Sequence, residues 1–300
     1  MGAGSVGAYF GARLASDNDV SFIARGNHLR SMREKGLRVK SDVHEDLEIT
    51  VNATDDPEKI GKVDLVLFTV KAYDTEKAGK QIKPLVGKDT VILSLQNGID
   101  NEKILAEMYG KDKVIGGVAY ILSRVEEPGM IHHESLGRVE IGELDGTVTE
   151  RLKEIKYIFE RSDIGCEISS NIKQVLWQKL AFNCALNAMT ALTSSSLDDI
   201  LKIKESSEVF EETVREAVKV GIASGIDMDE DEVIGNLMKI AEEAGAMRSS
   251  MLYDREKGKK LEIDPLNGKI IEIGEELDIE TPVNKTLYGC LMIINEKLAD

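Results

Sequence analysis

The first residues constrain the fold of this chain more than any other stretch. Met1 is followed by GAGSVG, which places glycines at 2, 4 and 7. This G-x-G-x-x-G pattern predicts a tight turn at Gly2, a bare backbone at Gly4 and a close-packed helix start at Gly7. Free N–H groups and the positive end of a helix dipole favour an anion at such a turn. A dinucleotide pyrophosphate would then be bound by Gly2, Ala3, Gly4, Ser5, Val6 and Gly7.

The pattern becomes specific only when a helix and a ribose-reading residue follow it at the right distance. A helix rich in small residues is predicted over 8–15, a short apolar strand over 20–24, and Arg25 follows that strand. An arginine there suits a 2′-phosphate, whereas an acidic residue would bind ribose hydroxyls and repel the phosphate. The sequence therefore predicts NADP(H) rather than NAD, unless Arg25 is only a solvent-exposed turn residue.

Only Met1 precedes the glycine motif. In this fold the motif normally follows the central strand of the sheet, which is about five residues long. We therefore interpret this chain as one that lacks the central strand, either because its start codon is assigned too late or because the sequence is truncated. We expect the strands near 20–24 and 65–70 to face each other across a gap. Their ladders would lose hydrogen-bonding partners, and the Gly2 turn would lose its anchor.

Strand and helix patterns alternate through the first half of the chain. Apolar runs that are typical of strands covered on both faces alternate with amphipathic stretches, which predicts a parallel sheet wound by helices. The predicted strands cover 37–52 (as one or two strands), 65–70, 91–95, 114–121, the region of His132, and 138–144. The predicted helices cover 28–35 with Asn27 as the N-cap, 75–83, 100–109 and 150–162.

The second half of the chain is helical in pattern. Residues 163–170 form a short strand or linker, so we expect a Rossmann-like nucleotide-binding domain over 1–165 and an all-helical domain over 170–300. Asp264-Pro265 and Thr281-Pro282 each put a capping residue before a proline at the first helical position. Further helices are predicted over 172–192, 205–224 and 229–244.

Composition excludes several classes of protein. The 300 residues carry a net charge of −16 without a like-charge block, so nucleic acid is not an expected partner. No apolar run is long enough for a membrane span, and the chain as given starts with no signal peptide. The three cysteines, Cys166, Cys184 and Cys290, are far apart, which argues against disulfides and a metal site and fits the cytoplasm. Cys184 and Cys290 are expected in the core.

Polar residues follow two of the predicted strands. Lys71 comes directly after the strand 65–70, and Asn97, followed by Gly98, comes soon after the strand 91–95. In open parallel sheets, ligands bind outside the carboxyl ends of the strands. Both residues are therefore expected near a nicotinamide and its substrate. The alternatives are a surface lysine and a plain Asn-Gly turn.

A third set of candidates lies on one long helix. Lys179, Asn183 and Asn187 are four residues apart and share a stripe on an otherwise apolar helix. Burying an ammonium alone is costly, so this stripe must meet water or line a cavity. One lysine with two asparagines suits an oxygen-rich small molecule, and the alternative is a helix with one solvated face. By pattern alone, Ser250 and Glu262 are not candidates.

Together these segments resemble the ketopantoate reductase (2-dehydropantoate 2-reductase) family over nearly the whole chain. The order and spacing of the motifs are more specific than any one of them. The motifs are GAGSVG with Arg25, VKAYDT at 70–75, LQNGID at 95–100, PGMIHH at 128–133, WQKLAFNCALNAMTAL at 177–192, SSMLYD at 249–254 and LEIDPLNG at 261–268. The resemblance implies a Rossmann domain followed by an all-helical domain of the 6-phosphogluconate-dehydrogenase-like type. It also implies reduction of a 2-oxo acid by NADPH, in pantothenate and coenzyme A synthesis.

The resemblance also implies roles for individual residues. Lys179 would be the general acid, and Glu262 the carboxylate near that lysine and the nicotinamide ribose. The substrate would be bound by Asn97, Lys179, Asn183, Asn187 and Ser250. Gly2 to Gly7 would bind the pyrophosphate and Arg25 the 2′-phosphate, while Lys71 and Asn97 would lie along the nicotinamide ribose.

The sequence departs from the family pattern at two places. Met247 stands where the family often has asparagine, and a second expected asparagine falls in the serine run 194–196. These departures bear on the substrate more than on the reaction class. The alternatives are therefore a related dehydrogenase for another 2-oxo or hydroxy acid and an NADP-binding sensor without activity. A homodimer is compatible with a helical second domain.

We expect a chain extended by one apolar strand before Met1 to be more stable and to bind NADPH more tightly. The added strand would supply ladder partners to both neighbouring strands. Melting temperature and NADPH affinity of the two forms measure this. Equal values for the two forms would contradict the interpretation.

Overall fold

The computed structural model describes residues 1–299, whose contacts separate into two compact units. The first unit comprises Met1–Gln96 and Asp100–Ile172. The second comprises Asn97–Ile99 and the chain from Lys173 onward. The short segment that contains Asn97 therefore groups with the helices rather than with the sheet. Among residues 1–299, no helix combines the length and apolar character that a bilayer crossing requires.

The first unit is a sheet covered by helices. Its strands are β1 Ser21–Ile23, β2 Leu37–Ser41, β3 Leu47–Ile49, β4 Asn52–Thr54, β5 Val63–Phe68, β6 Val86–Ser94, β7 Val114–Glu127, β8 Met130–Glu143 and β9 Cys166–Ile168. Its helices are α1 Ser5–Leu14, α2 Gly26–Lys35, α3 Thr75–Gln81, α4 Asn101–Tyr109 and α5 Glu150–Arg161. Short 3-10 turns cover Pro57–Lys59, Ala72–Asp74, Lys83–Leu85 and Lys111–Lys113.

Most strands join one mixed sheet with the order β3-β2-β8-β7-β6-β5. Strands β5, β6 and β7 are parallel, as the alternating pattern predicts. The two late strands predicted around His132 and 138–144 are instead one strand, β8, which pairs antiparallel with β7. The same strand pairs in parallel with β2 near its start and with β9 near its end.

Strands β1 and β4 form a separate, two-stranded parallel sheet. The backbone of Met1 to Ala3 is hydrogen-bonded on both sides of the break between the two sheets. The N–H groups of Gly2 and Ala3 donate to the Ile23 carbonyl at 3.2 and 2.9 Å. On the other side, the Met1 nitrogen donates to the Leu67 carbonyl at 2.7 Å, and the Thr69 N–H donates to the Met1 carbonyl at 3.0 Å. The ends of β1 and β5 are thus linked through the glycine motif, so the expectation that the Gly2 turn lacks an anchor is wrong.

Helix α1 packs closely on this part of the fold because several of its residues are small. Ala8 and the aromatic rings of Tyr9 and Phe10 are fully buried. At Gly11, an added Cβ would lie 2.5 Å from the Phe22 ring. Small residues on the sheet-facing side therefore let the helix approach β1, which fixes the position of its N-terminus.

The second unit is built of helices around one apolar core. They are α6 Ile172–Thr193, α7 Leu197–Lys202, α8 Lys204–Ala223, α9 Glu230–Ala244, α10 Ser250–Glu256, α11 Lys269–Glu276 and α12 Pro282–Ala299, with a π-helical turn over Asp264–Gly268. The expected class, an α/β Rossmann-like domain followed by a helical domain, is confirmed. The predicted helix start at Thr281-Pro282 is also correct.

Three local predictions are wrong. The N-cap of α2 is Arg25 rather than Asn27, which lies inside the helix. Asp264 does not cap a helix, because it lies within the π-helical turn and accepts a hydrogen bond from the Tyr288 hydroxyl. Cys290 is exposed, since it lies on the outer face of α12, whereas Cys184 is buried as expected.

A buried carboxylate from α8 accepts hydrogen bonds at the start of the last helix, α12. Glu216 of α8 is 5% exposed and accepts hydrogen bonds from the backbone N–H groups of Val283 and Asn284, both at 2.8 Å. It also accepts from the Asn284 side chain at 2.7 Å. A carboxylate at this position satisfies orphan donors and complements the helix dipole. Each such charged hydrogen bond contributes about 1.5–3 kcal/mol, so Glu216 fixes α12 against α8.

Candidate functional site

Gly2 is the residue that lets the glycine motif approach β5. Its φ is +90°, and an added Cβ would lie 2.7 Å from Val70 Cγ1 and 2.8 Å from the Val70 nitrogen. The Thr69 hydroxyl secures the turn by donating to the Gly2 carbonyl at 2.8 Å. Only glycine fits this combination of backbone conformation and close packing.

Gly4, unlike Gly2, is not closely packed against other residues. It is exposed at the N-cap of α1 and offers no side chain to cap the helix, and the nearest atom to an added Cβ is the Gly2 carbonyl oxygen at 3.9 Å. Packing within the protein therefore does not require glycine here. The first turn of α1 carries no acidic residue. An uncapped helix N-terminus with open space above a bare backbone fits a diphosphate.

Arg25 is placed at the start of α2 with an extended backbone. Its side chain is 57% exposed, and its Nη2 lies 3.6 Å from Oδ2 of Asp74, a residue of the VKAYDT segment. A guanidinium in this position is accessible to a ligand. Sequence reasoning identified Arg25 but not its acidic neighbour.

Lys71 follows β5 and begins the 3-10 turn over Ala72–Asp74. The buried side chain of Gln96 links the segments that follow β5 and β6. The Gln96 amide donates to the Val70 carbonyl at 2.9 Å and to the Thr75 hydroxyl at 2.7 Å, and Thr75 Oγ1 is 2.8 Å from Asn101 Oδ1. Sequence reasoning missed these residues. The available signal was the glutamine that directly follows a buried strand.

The α6 stripe passes from partly exposed to buried. Lys179 and Asn183 are half-buried, whereas Asn187 is 4% exposed. Asn183 Nδ2 donates to Asn97 Oδ1 at 3.5 Å, so two of the predicted residues meet within the helical unit. Amide groups and an ammonium on one stripe can bind an oxygen-rich molecule.

The electrostatics of Lys179 distinguish it from a surface lysine. Burial lowers the pKa of Lys179 to about 8, and the negative charge of Glu262 acts in the opposite direction. Glu262 is itself 6% exposed. An ammonium with such a pKa can release a proton near neutral pH. The sequence identified Lys179 by its spacing, while Glu262 was known only through the family resemblance.

Two buried contacts fix α6 against the segments that carry Glu262 and Ser250. The Asn267 amide, in the π-helical turn after Glu262, donates to the Cys184 carbonyl at 3.0 Å. The hydroxyls of Thr190 and Ser249 are 2.6 Å apart, and Ser249 is the N-cap of α10. Ser250 is the exposed first residue of that helix.

Among residues 1–299, His, Cys, Asp and Glu form no group of three or more that could hold an ion. The donors described above are instead suited to phosphate and to the oxygens of a small organic molecule.

An α/β unit with a glycine-rich turn, followed by a helical unit with a low-pKa lysine, defines a dinucleotide-dependent oxidoreductase. The family model for ketopantoate reductase PanE/ApbA matches residues 1–146, and the model for its C-terminal part matches residues 171–295. The chain therefore belongs to the ketopantoate reductase family, and the resemblance inferred from the motifs is confirmed.

Individual relatives agree with this assignment. The 2-dehydropantoate 2-reductase of Archaeoglobus fulgidus is 33% identical over 290 residues, which cover 96% of this chain and 94% of the relative. A PanE/ApbA family ketopantoate reductase from Ralstonia eutropha has a TM-score of 0.92 at 33% identity and covers 100% of this chain and 98% of its own.

A structural neighbour with another substrate is equally similar in fold. D-mandelate dehydrogenase, in a ternary structure with NADH and anilino(oxo)acetate, has a TM-score of 0.93 at 26% identity. The match covers 99% of this chain and 97% of that one.

Replacing Glu262 by glutamine should lower the pKa of Lys179 below about 8. The substitution removes the charge that favours the ammonium form, while the burial that disfavours it remains. The measurement is the pH dependence of Lys179 modification by an amine-selective reagent, with Lys179→Arg as the blank.

Glu272→Gln is the matched control, because Glu272 pairs with Lys269 on an exposed part of the same unit. An unchanged or higher pKa of Lys179 in Glu262→Gln would show that this carboxylate does not act on the lysine.

Proposed function

We propose that this protein is an NADPH-dependent 2-dehydropantoate 2-reductase, which converts ketopantoate to (R)-pantoate. The observation that carries the proposal is Lys179, whose pKa is lowered to about 8 and whose helix also presents Asn183 and Asn187. Family membership supports the same reaction. The pathway would be pantothenate and coenzyme A synthesis in the cytoplasm, which agrees with the three free cysteines.

In this proposal the first unit holds the dinucleotide. Gly2 to Gly7 bind the pyrophosphate at the N-terminus of α1, and the open backbone of Gly4 supports that role. Arg25 binds the 2′-phosphate through its accessible guanidinium. Lys71 and Asn97 contact the nicotinamide ribose and the substrate, and Glu262 adds a carboxylate near the ribose and Lys179.

The helical unit supplies the groups for substrate and proton transfer. The dihydronicotinamide, when bound, would supply a hydride to C2 of the ketone. The carbonyl oxygen gains negative charge as the C–H bond forms, and the Lys179 ammonium stabilises that charge and donates its proton to the oxygen. Asn183, Asn187 and Ser250 bind the carboxylate and hydroxyl oxygens of the substrate. Hydride and proton together convert the ketone to the alcohol, and Lys179 regains its proton from water.

A second candidate is a dehydrogenase for another 2-oxo acid. The similarity to D-mandelate dehydrogenase favours it, because that enzyme has the same fold and its structure contains NADH. Met247, where the family often has asparagine, also changes the polarity of the segment before α10. The same acid–base chemistry would apply, with a different side chain on the keto acid.

Ketopantoate should cause oxidation of NADPH by the purified protein, at least about tenfold faster in kcat/KM than benzoylformate or 2-oxoisovalerate. The reason is that a site with several polar groups loses free energy when a substrate leaves them unpaired. Absorbance at the dihydronicotinamide band measures the rate. A preference for another acid in this panel would select the second candidate, and no turnover with ketopantoate would exclude the first.

Lys179→Ala serves as the control for mechanism in the same assay. It should lose about 100-fold or more in kcat while NADPH binding, measured by calorimetry, stays close to that of the unmodified protein. An unchanged kcat would mean that Lys179 is not the proton donor.

A further inference from the structure

The carboxylate of Asp74 does not cap the helix that it precedes but lies close to Arg25. Asp74 stands at the N-cap of α3, where an aspartate normally accepts a hydrogen bond from the first helical turn. Its side chain makes no such bond. Its Oδ2 is instead 3.6 Å from Nη2 of Arg25, across from β5 to the end of β1. The carboxylate thus approaches the residue to which the proposed function gives the 2′-phosphate.

The pair is accessible and weak. The side chains of Arg25 and Asp74 are 57% and 34% exposed, and an ion pair of this kind contributes little to stability. A ligand can therefore compete with it. The 2′-phosphate of NADPH is such a competitor, because it carries between one and two negative charges and binds the same guanidinium.

One guanidinium cannot pair fully with both the Asp74 carboxylate and a 2′-phosphate. With Asp74 in place, a 2′-phosphate at Arg25 comes close to a carboxylate of the same sign, and that repulsion opposes binding. The ribose of NADH carries no charge at this position, so NADH escapes the repulsion. Its 2′-hydroxyl can also donate a hydrogen bond to a nearby carboxylate.

We propose that Asp74 is a cofactor-specificity residue that competes with the 2′-phosphate of NADPH for Arg25 and so narrows the preference for NADPH over NADH. This inference rests on the proposed function, in which Arg25 binds the phosphate. The further claim is that Asp74 makes the preference for NADPH over NADH smaller than Arg25 alone would give.

The experiment is a set of calorimetric titrations at one ionic strength, because salt screens exposed charges. Asp74→Asn should bind NADPH and adenosine 2′,5′-bisphosphate about tenfold more tightly than the unmodified protein. Affinities for NADH and 5′-AMP should stay the same or fall. The fragments report on the phosphate site without any turnover.

Glu76→Gln is the matched control. It removes one negative charge two residues further along, where Glu76 pairs with Lys80 rather than with Arg25. The discrimination between NADPH and NADH should not change in this variant. Arg25→Ala should weaken NADPH much more than NADH, and the gain from Asp74→Asn should shrink in that background.

Two outcomes separate the two ideas. If Asp74→Asn leaves the ratio of the two affinities unchanged, or changes it no more than Glu76→Gln does, the role of Asp74 is overturned while the proposed function stands. If Arg25→Ala weakens both dinucleotides equally, or if neither binds to the unmodified protein, the phosphate assignment fails and this inference fails with it.

Discussion

Withdrawing an ammonium from water costs free energy, and the helical unit meets this cost at the partly buried Lys179. Burial lowers the pKa of the lysine to about 8, and the charge of Glu262 limits the effect. The balance depends on how firmly α6 is held against its neighbours. Buried contacts from Asn267 and Ser249 hold the helix, and Asn267 is in turn hydrogen-bonded to Asn284, which contacts Glu216. The environment of the lysine is therefore set by packing across several helices.

The glycine motif of the first unit combines two different constraints in six residues. Gly2 is required by the protein itself, because Val70 leaves no room for a side chain. At Gly4 the nearest atom to an added Cβ is 3.9 Å away, so packing within the protein does not require glycine there. One motif thus links the strand ends and also leaves the N-terminus of α1 without a side-chain cap.

Sequence patterns predicted the elements whose signal is local. The helix α1, the parallel strands β5 to β7 and the spacing of Lys179, Asn183 and Asn187 all depend on periodicity within one element. Strand β8 was predicted as two strands, one near His132 and one over 138–144. In the structure Leu136 and Gly137, which lie between these segments, have positive φ values, and pairing with β7 continues past them. The Arg25–Asp74 pair and the Asn267 contact join residues far apart in sequence, so no local pattern contains them.

Strand β8 has a consequence for how the first unit assembles. Its pairing with β7 closes only a tight turn, whereas its pairings with β2 and β9 join it to distant parts of the chain. Closing a short loop costs less entropy than closing a long one. The β7–β8 hairpin is therefore the template that can form first. Strands β2 and β9, which come before and after the hairpin in the chain, can then both dock along its β8 edge.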